Sequence, residues 1–302
     1  MHKFLLTLLS VSLFYYSNAQ TEIDALRYSR NDIVGTARFS AMAGAYGALG
    51  ADFTTLSYNP AGIGFYQFSE LTFTPSFGNM IATSYFGGGR NEDEKYHANL
   101  SNFGYVVSSP KSGNEWKRLN LAFGYNRTAN YKKRTYISGE NNSTSMIDNF
   151  VSNAQGSTID NLNGFTELLA WNTYLFDPLD TIDNGNYISN LNSSSRKKQE
   201  KVINSNGSLG EYVFSVGTSY EDIIYLGATI GMPSIDYYEK STYTESEFAD
   251  TAAHLESFAY DEEFTTTGTG LNIKLGVIAR LNDWVRLGGA FHSNTFFYDI
   301  FV

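Results

Sequence analysis

The chain has no cysteine, 4 histidines and fewer cations than anions, and each scarcity removes a class of protein. Without cysteine it is neither a lipoprotein nor a disulfide scaffold. His2 lies at the very start, and His97, His254 and His292 are too scattered to share a metal, so no metal or other cofactor is expected. Lys and Arg number 21 against 31 Asp and Glu, a net charge of -10, which argues against a nucleic-acid partner. After the N-terminal segment no stretch of about 18 apolar residues occurs, so membrane-spanning helices are excluded. A mean hydropathy of -0.27 resembles that of a soluble protein. Strands with one lipid face and one polar face average to the same figure.

Catalytic chemistry is scarce too. His292 and Ser293 are neighbours in a strand-like run and therefore point to opposite faces. The glycine-rich GAYGALG of Gly44–Gly50 fits neither a dinucleotide fingerprint nor a phosphate loop. No catalytic residues are expected, and the chain does not read as an enzyme.

What is present begins with an export signal. Met1–Lys3 is basic, Phe4–Tyr16 is a short apolar run, and Ser17-Asn18-Ala19 suits cleavage after Ala19. Tyr and Phe number 22 each and Gly 27, so aromatic and very small residues dominate. Seven segments alternate a large apolar residue with a small or polar one: Leu71–Phe77, Asn102–Val107, Leu119–Asn126, Tyr212–Gly217, Ile224–Gly231, Leu271–Ile278 and Val285–His292. Short turns are expected at Ser108–Lys117, Tyr220–Ile223 and Leu281–Trp284. Long connections are expected at Gly78–Tyr96, Lys132–Gly210 and Asp236–Glu263. Tight turns on one side and long loops on the other predict an antiparallel outer-membrane β-barrel. A soluble antiparallel sandwich is the rival reading.

Within the second long loop, 132–210, apolar residues recur at helical spacing. One set is Met146, Ile147, Phe150, Val151 and Ala154; the other is Ile159, Leu162, Phe165, Leu169 and Trp171 to Leu175. Ser145 and Ser157 are the expected N-caps, with Gly156 ending the first helix. Two amphipathic helices on an exterior loop would offer either a capture groove for hydrophobic molecules or a cap on the barrel rim.

The segment before the first strand poses a separate question. A belt of tiny residues, AMAGAYGALGAD, runs to Asp52 and is followed by a locked turn, Asn59-Pro60-Ala61-Gly62. Small residues let a segment thread a crowded lumen, and Pro60 fixes the turn from lumen to wall. Gly47→Leu is therefore expected to disturb the packing. This stretch, with Asp52, Asn59, Pro60, Ala61 and Gly62, resembles the start of the FadL family of outer-membrane transporters for hydrophobic compounds. The resemblance implies a 14-stranded barrel plugged by an N-terminal hatch, uptake of long-chain fatty acids or similar molecules, and sideways release through the wall.

The organisation expected is a signal over 1–19, a hatch over 20–67 and barrel wall over 68–302, placed in the outer membrane of a Gram-negative bacterium. Seven strands are half of fourteen, so further strands are expected to close a monomeric barrel. Ligand-binding candidates are Lys274, on the polar face of the sixth strand, and Phe165, Leu169 and Trp171 in the long loop. Arg280 and Arg286 share that polar face and suit the rim. Expected partners are a fatty-acid-like molecule, membrane lipid and the barrel-assembly machinery. The alternative is a barrel that holds exported proteins at the surface.

Overall fold

The computed structural model describes residues 22–111, 115–180, 185–250 and 255–301. The expected signal over 1–19, its cleavage position and His254 lie outside the described residues.

Most of the chain is antiparallel β, and the main sheet curls into half a barrel. Its strands are β1 (Glu70–Phe86), β2 (Gly89–Pro110), β3 (Trp116–Asn130), β4 (Lys133–Asn141), β7 (Lys197–Tyr220), β8 (Ile224–Ser246), β9 (Ser257–Arg280), β10 (Arg286–His292) and β11 (Phe296–Phe301). The order is β1-β2-β3-β7-β8-β9-β10, with β4 continuing the line of β3 along β7 and β11 that of β10 along β9. The two remaining strands, β5 (Phe176–Pro178) and β6 (Tyr187–Ser189), form a separate small hairpin. Among the described residues the other sheet is this two-stranded hairpin, which is too small to form the second layer of a sandwich. Each of the seven alternating segments occupies its own line of the sheet.

The two faces separate by residue size. Phe73, Phe123, Phe214, Ile230 and Ile273 stand on the convex face and are exposed. Val106, Ala122, Val213 and Ile278 stand on the concave face and are buried. On β1 exposed Ile81 and Tyr85 extend the apolar outer belt toward the far end, whereas on β7, β8 and β9 the belt occupies the half of each strand nearest the short turns. Beyond it the outer face becomes polar, with Lys240 paired to Glu263 at 2.7 Å and Thr242 to Asp261 at 2.6 Å.

The strands are much longer than their apolar cores. Gly78–Tyr96 is not an open connection but the end of β1, a tight turn and the start of β2. Gly87 and Gly88 both take positive φ, 53° and 78°, which suits a two-residue hairpin turn. Likewise β4 and the first half of β7 fall inside 132–210, and β8 and β9 pair out to Ser246 and Ser257 within Asp236–Glu263. Ladder hydrogen bonds need no apolar alternation, so pairing continues where the hydrophobic period stops.

Helices are few. In chain order they are α1 (Glu22–Ser29), α2 (Ala37–Ala41), α3 (Met146–Ala154) and α4 (Glu167–Asn172). Among the described residues no helix is long and apolar enough to cross a membrane. Ser145 caps α3 in a reciprocal box with Asp148, and Gly156 follows its end at a φ of 82°. The second expected helix does not form over 159–175. A single turn at Ile159–Asn161 is followed by the short α4, whose N-cap Thr166 makes no side-chain capping bond. Ile147, Phe150, Leu175, Phe176 and Tyr187 form a small core for this insertion, against which Phe258 and Tyr260 of β9 pack. Buried Glu245 of β8 ties the insertion to the sheet, accepting from Ser145 Oγ at 2.7 Å and from the Met146 amide at 2.8 Å.

β1 and the β10–β11 line each pair on one side only, so both lateral edges of the sheet are unpaired among the described residues.

Candidate functional site

The N-terminal segment lies along the concave face, and its turn residues set how it sits. Asp52 caps the 3-10 turn Phe53–Ser57 by accepting from the Thr54 amide at 2.9 Å, and its other oxygen accepts from Thr36 Oγ1 at 2.6 Å. Asn59 caps the next turn, Pro60–Phe65, by accepting from the Ala61 amide at 3.1 Å. Its amide nitrogen donates to the Gly47 carbonyl at 2.6 Å. Pro60 opens that turn where a missing N–H costs nothing. Ala61 is fully buried beside Tyr225 and Ile278, and a Cβ at Gly62 would overlap Thr55. The five motif residues thus form one joint.

The wall is shaped to receive that joint. Gly217, Gly227 and Gly276 sit side by side across β7, β8 and β9. A Cβ at each would overlap the Ile63 side chain, the Pro60 carbonyl and the Asn59 side chain respectively. Gly104 gives the same clearance to the ring of Phe53. Gly47 differs from the sequence-based expectation: a Cβ there meets nothing within 4 Å, so its substitution has room. The glycines that make room for the segment's turn belong to the wall.

Wall asparagines hold the segment's carbonyls. Asn120 donates to Ile63 O at 2.7 Å and to Tyr66 O at 2.9 Å, and Asn126 donates to Ser57 Oγ at 2.9 Å. Phe53, Leu56, Ile63 and Tyr66 complete the contact as one apolar cluster with Val106, Ala122 and Val213. Inward asparagines on strands of alternating period were the available signal, since a buried amide needs a partner. Asn120→Ala removes one donor from each of two carbonyls, which keep the Tyr66 amide and Ser108 Oγ respectively, and is expected to destabilise the seated segment by about 1–2 kcal/mol. Limited proteolysis across 35–66 checks this, and protection equal to wild type would count against the clamp.

A cavity of about 440 Å³ remains between the segment and the wall. It borders the break in the β10–β11 line at 293–295, where the register along β9 shifts by one residue. Leu209, Ile235 and Phe297 supply apolar lining, and Tyr58, Asn272 and Lys274 supply polar lining. Lys274 stands on the concave face, but its ammonium binds both carboxylate oxygens of Glu211, a cross-strand partner 63 positions away. His292 bonds through Nε2 to the Tyr58 carbonyl at 2.6 Å. Burial, reinforced by the Glu211 and Asp32 carboxylates, raises the Tyr58 phenol above its usual range and keeps it neutral.

The loop candidates are elsewhere. Phe165, Leu169 and Trp171 lie on the insertion and none lines the cavity. Phe165 is 85% exposed and Leu169 is half exposed. Trp171 instead packs edge-on against Tyr187 and tilted against Phe176, inside the insertion's own core. Arg286 reaches the Leu49 carbonyl at 3.1 Å and so contacts the N-terminal segment. Among the described residues no group of acidic or histidine side chains could hold a metal. No family model, curated protein or solved structure matches the chain.

Proposed function

We propose that this chain builds wall and plug of an outer-membrane barrel that moves hydrophobic small molecules, of about long-chain fatty-acid size, into a Gram-negative cell. One observation carries the reading: the sheet presents an apolar belt outward while its inner face holds a seated segment and a mixed-polarity cavity. A water-soluble protein would reverse those faces. From Tyr212 to Tyr220 the belt rises roughly 20 Å, at about 3.3 Å per residue and about 40° of tilt, close to the ~25 Å apolar band of such barrels. Trp116 and Trp284 stand exposed at the short-turn end, where an aromatic girdle belongs. The cavity volume falls within the ~300–1,000 Å³ range of small-molecule sites. Unpaired edges cannot face hydrocarbon, so strands that complete the barrel would pair with β1 and with β10–β11. The resemblance of residues 36–77 to FadL-type transporters points the same way.

Uptake of a labelled long-chain compound by cells carrying or lacking the gene tests the proposal, and equal uptake would refute it. Phe165 is exposed and adds little to stability, so Phe165→Ala is expected to slow capture a few-fold without changing folding. An unchanged capture rate would remove the insertion from the uptake path. The same exposed Phe165 and Tyr174 favour a second reading, a surface partner of exported proteins. That reading gains if a secreted protein co-purifies through the insertion and no hydrophobic compound binds.

A further inference from the structure

We propose that the cavity accepts an uncharged molecule, a long apolar chain with a hydroxyl-type head, and turns ionised carboxylates away. This rests on the transport reading and names its substrate class.

Besides the phenols of Tyr28 and Tyr58, the lining contains three ionisable side chains: Glu211, Lys274 and His292. Lys274 and Glu211 are 5% and 3% exposed and neutralise each other, ammonium against both carboxylate oxygens. Asn272 adds a further donor to the same carboxylate at 3.1 Å. Glu211 is thus engaged by two side chains of β9, and Lys274 has no charge left for a ligand. An entering carboxylate meets the field of Glu211 as soon as it approaches the ammonium. To win the lysine it would have to displace Glu211 and leave a buried carboxylate without its counter-ion, which is strongly unfavourable. A neutral head escapes both penalties. Asn272 also has a buried side-chain oxygen without a partner. A ligand hydroxyl would supply the missing donor, whereas a carboxylate carries none.

The test is equilibrium binding of labelled hexadecanol, methyl palmitate and palmitate to the full chain in detergent, at about pH 8, where an ordinary imidazole is neutral. Hexadecanol is expected to bind about tenfold or more tightly than palmitate, with the ester between them. Glu211→Gln frees the Lys274 charge and should strengthen palmitate about tenfold while leaving hexadecanol nearly unchanged. Because that variant leaves one buried charge, Glu211→Leu combined with Lys274→Met serves beside it. The double variant has no charge to strand and should keep the wild-type preference for the alcohol. Palmitate binding as tightly as hexadecanol in the wild type would overturn the proposal, with transport intact. So would an unchanged ratio in folded Glu211→Gln, or loss of the alcohol preference in the double variant. Binding of none of the three would overturn the transport reading itself, and this proposal with it.

Discussion

Replacing Gly227 by leucine is expected to unseat the N-terminal segment from the wall. A Cβ at this position overlaps the carbonyl of Pro60, and backbone cannot rotate out of the way as a side chain can. Pro60 also has a fixed φ, which limits local adjustment. Gly217 and Gly276 flank the position and carry the same close approach, so neither neighbouring strand offers space. Overpacking of this kind costs about 1–3 kcal/mol at a yielding site and more at a rigid one. Once the turn lifts, Leu56, Ile63 and Tyr66 lose their shared cluster with the wall. Each such side chain contributes roughly 1.5–3 kcal/mol when buried, so partial lifting favours complete release. The expected result is rapid proteolysis across residues 35–66 and a leak of small hydrophilic solutes. Gly47→Leu should leave both readouts near wild type, because open space surrounds that position. Equal protection in both variants would show that the segment is not held by the glycine row.

Phe214→Arg is expected to abolish accumulation of the folded chain in the outer membrane. Phe214 stands on the convex face of β7, opposite Phe123 of β3 and Ile230 of β8, all three exposed. If that face meets acyl chains, arginine there costs about 2–4 kcal/mol near the bilayer midplane. Such a penalty is a large part of the stability of an ordinary fold. Thr244→Arg supplies the contrast. Thr244 points outward from the polar half of β8, opposite Glu200, where a cation is tolerated or welcome. Membrane fractions blotted for each variant decide the matter. Similar levels of the two would argue that lipid does not cover the belt.

The parts of this fold legible in the sequence were those where one physical force acts alone. In Ile224–Gly231 or Leu271–Ile278 a large residue every second position tells which side is apolar, and the convex face carries those side chains. In Asp236–Ser246 both faces are polar or aromatic, the hydrophobic period vanishes, and the ladder continues unseen on backbone hydrogen bonds. The same blindness turned the Gly87-Gly88 hairpin into an apparent loop. For the insertion, Ser145 signalled a helix through its capping box. The run after Ser157 had the apolar spacing without a comparable cap, and the chain breaks into a single turn and the short α4. Trp171 could not be assigned from spacing, because its neighbours Phe176 and Tyr187 depend on how the insertion folds back. Lys274 was placed on the inner face correctly by parity. Its pairing with Glu211 needs the register of β7, β8 and β9 together, which no local pattern contains. The wall glycines and Asn120 raise the same difficulty, since their purpose appears only once the N-terminal segment lies against them.

The most direct test of the central claim, a lipid-facing belt around a seated inner segment, uses the absence of cysteine from the chain. Single cysteines are introduced at Phe214 and Ile273 on the belt, at Thr244 above it, and at Ile63 beneath the wall. Each is labelled in intact outer membranes with a water-soluble maleimide and, separately, with a fluorophore quenched by brominated acyl chains. The expected result is poor aqueous labelling with strong lipid quenching at 214 and 273, ready aqueous labelling without quenching at 244, and neither at 63. Free aqueous labelling at 214 and 273, without quenching, would contradict the account.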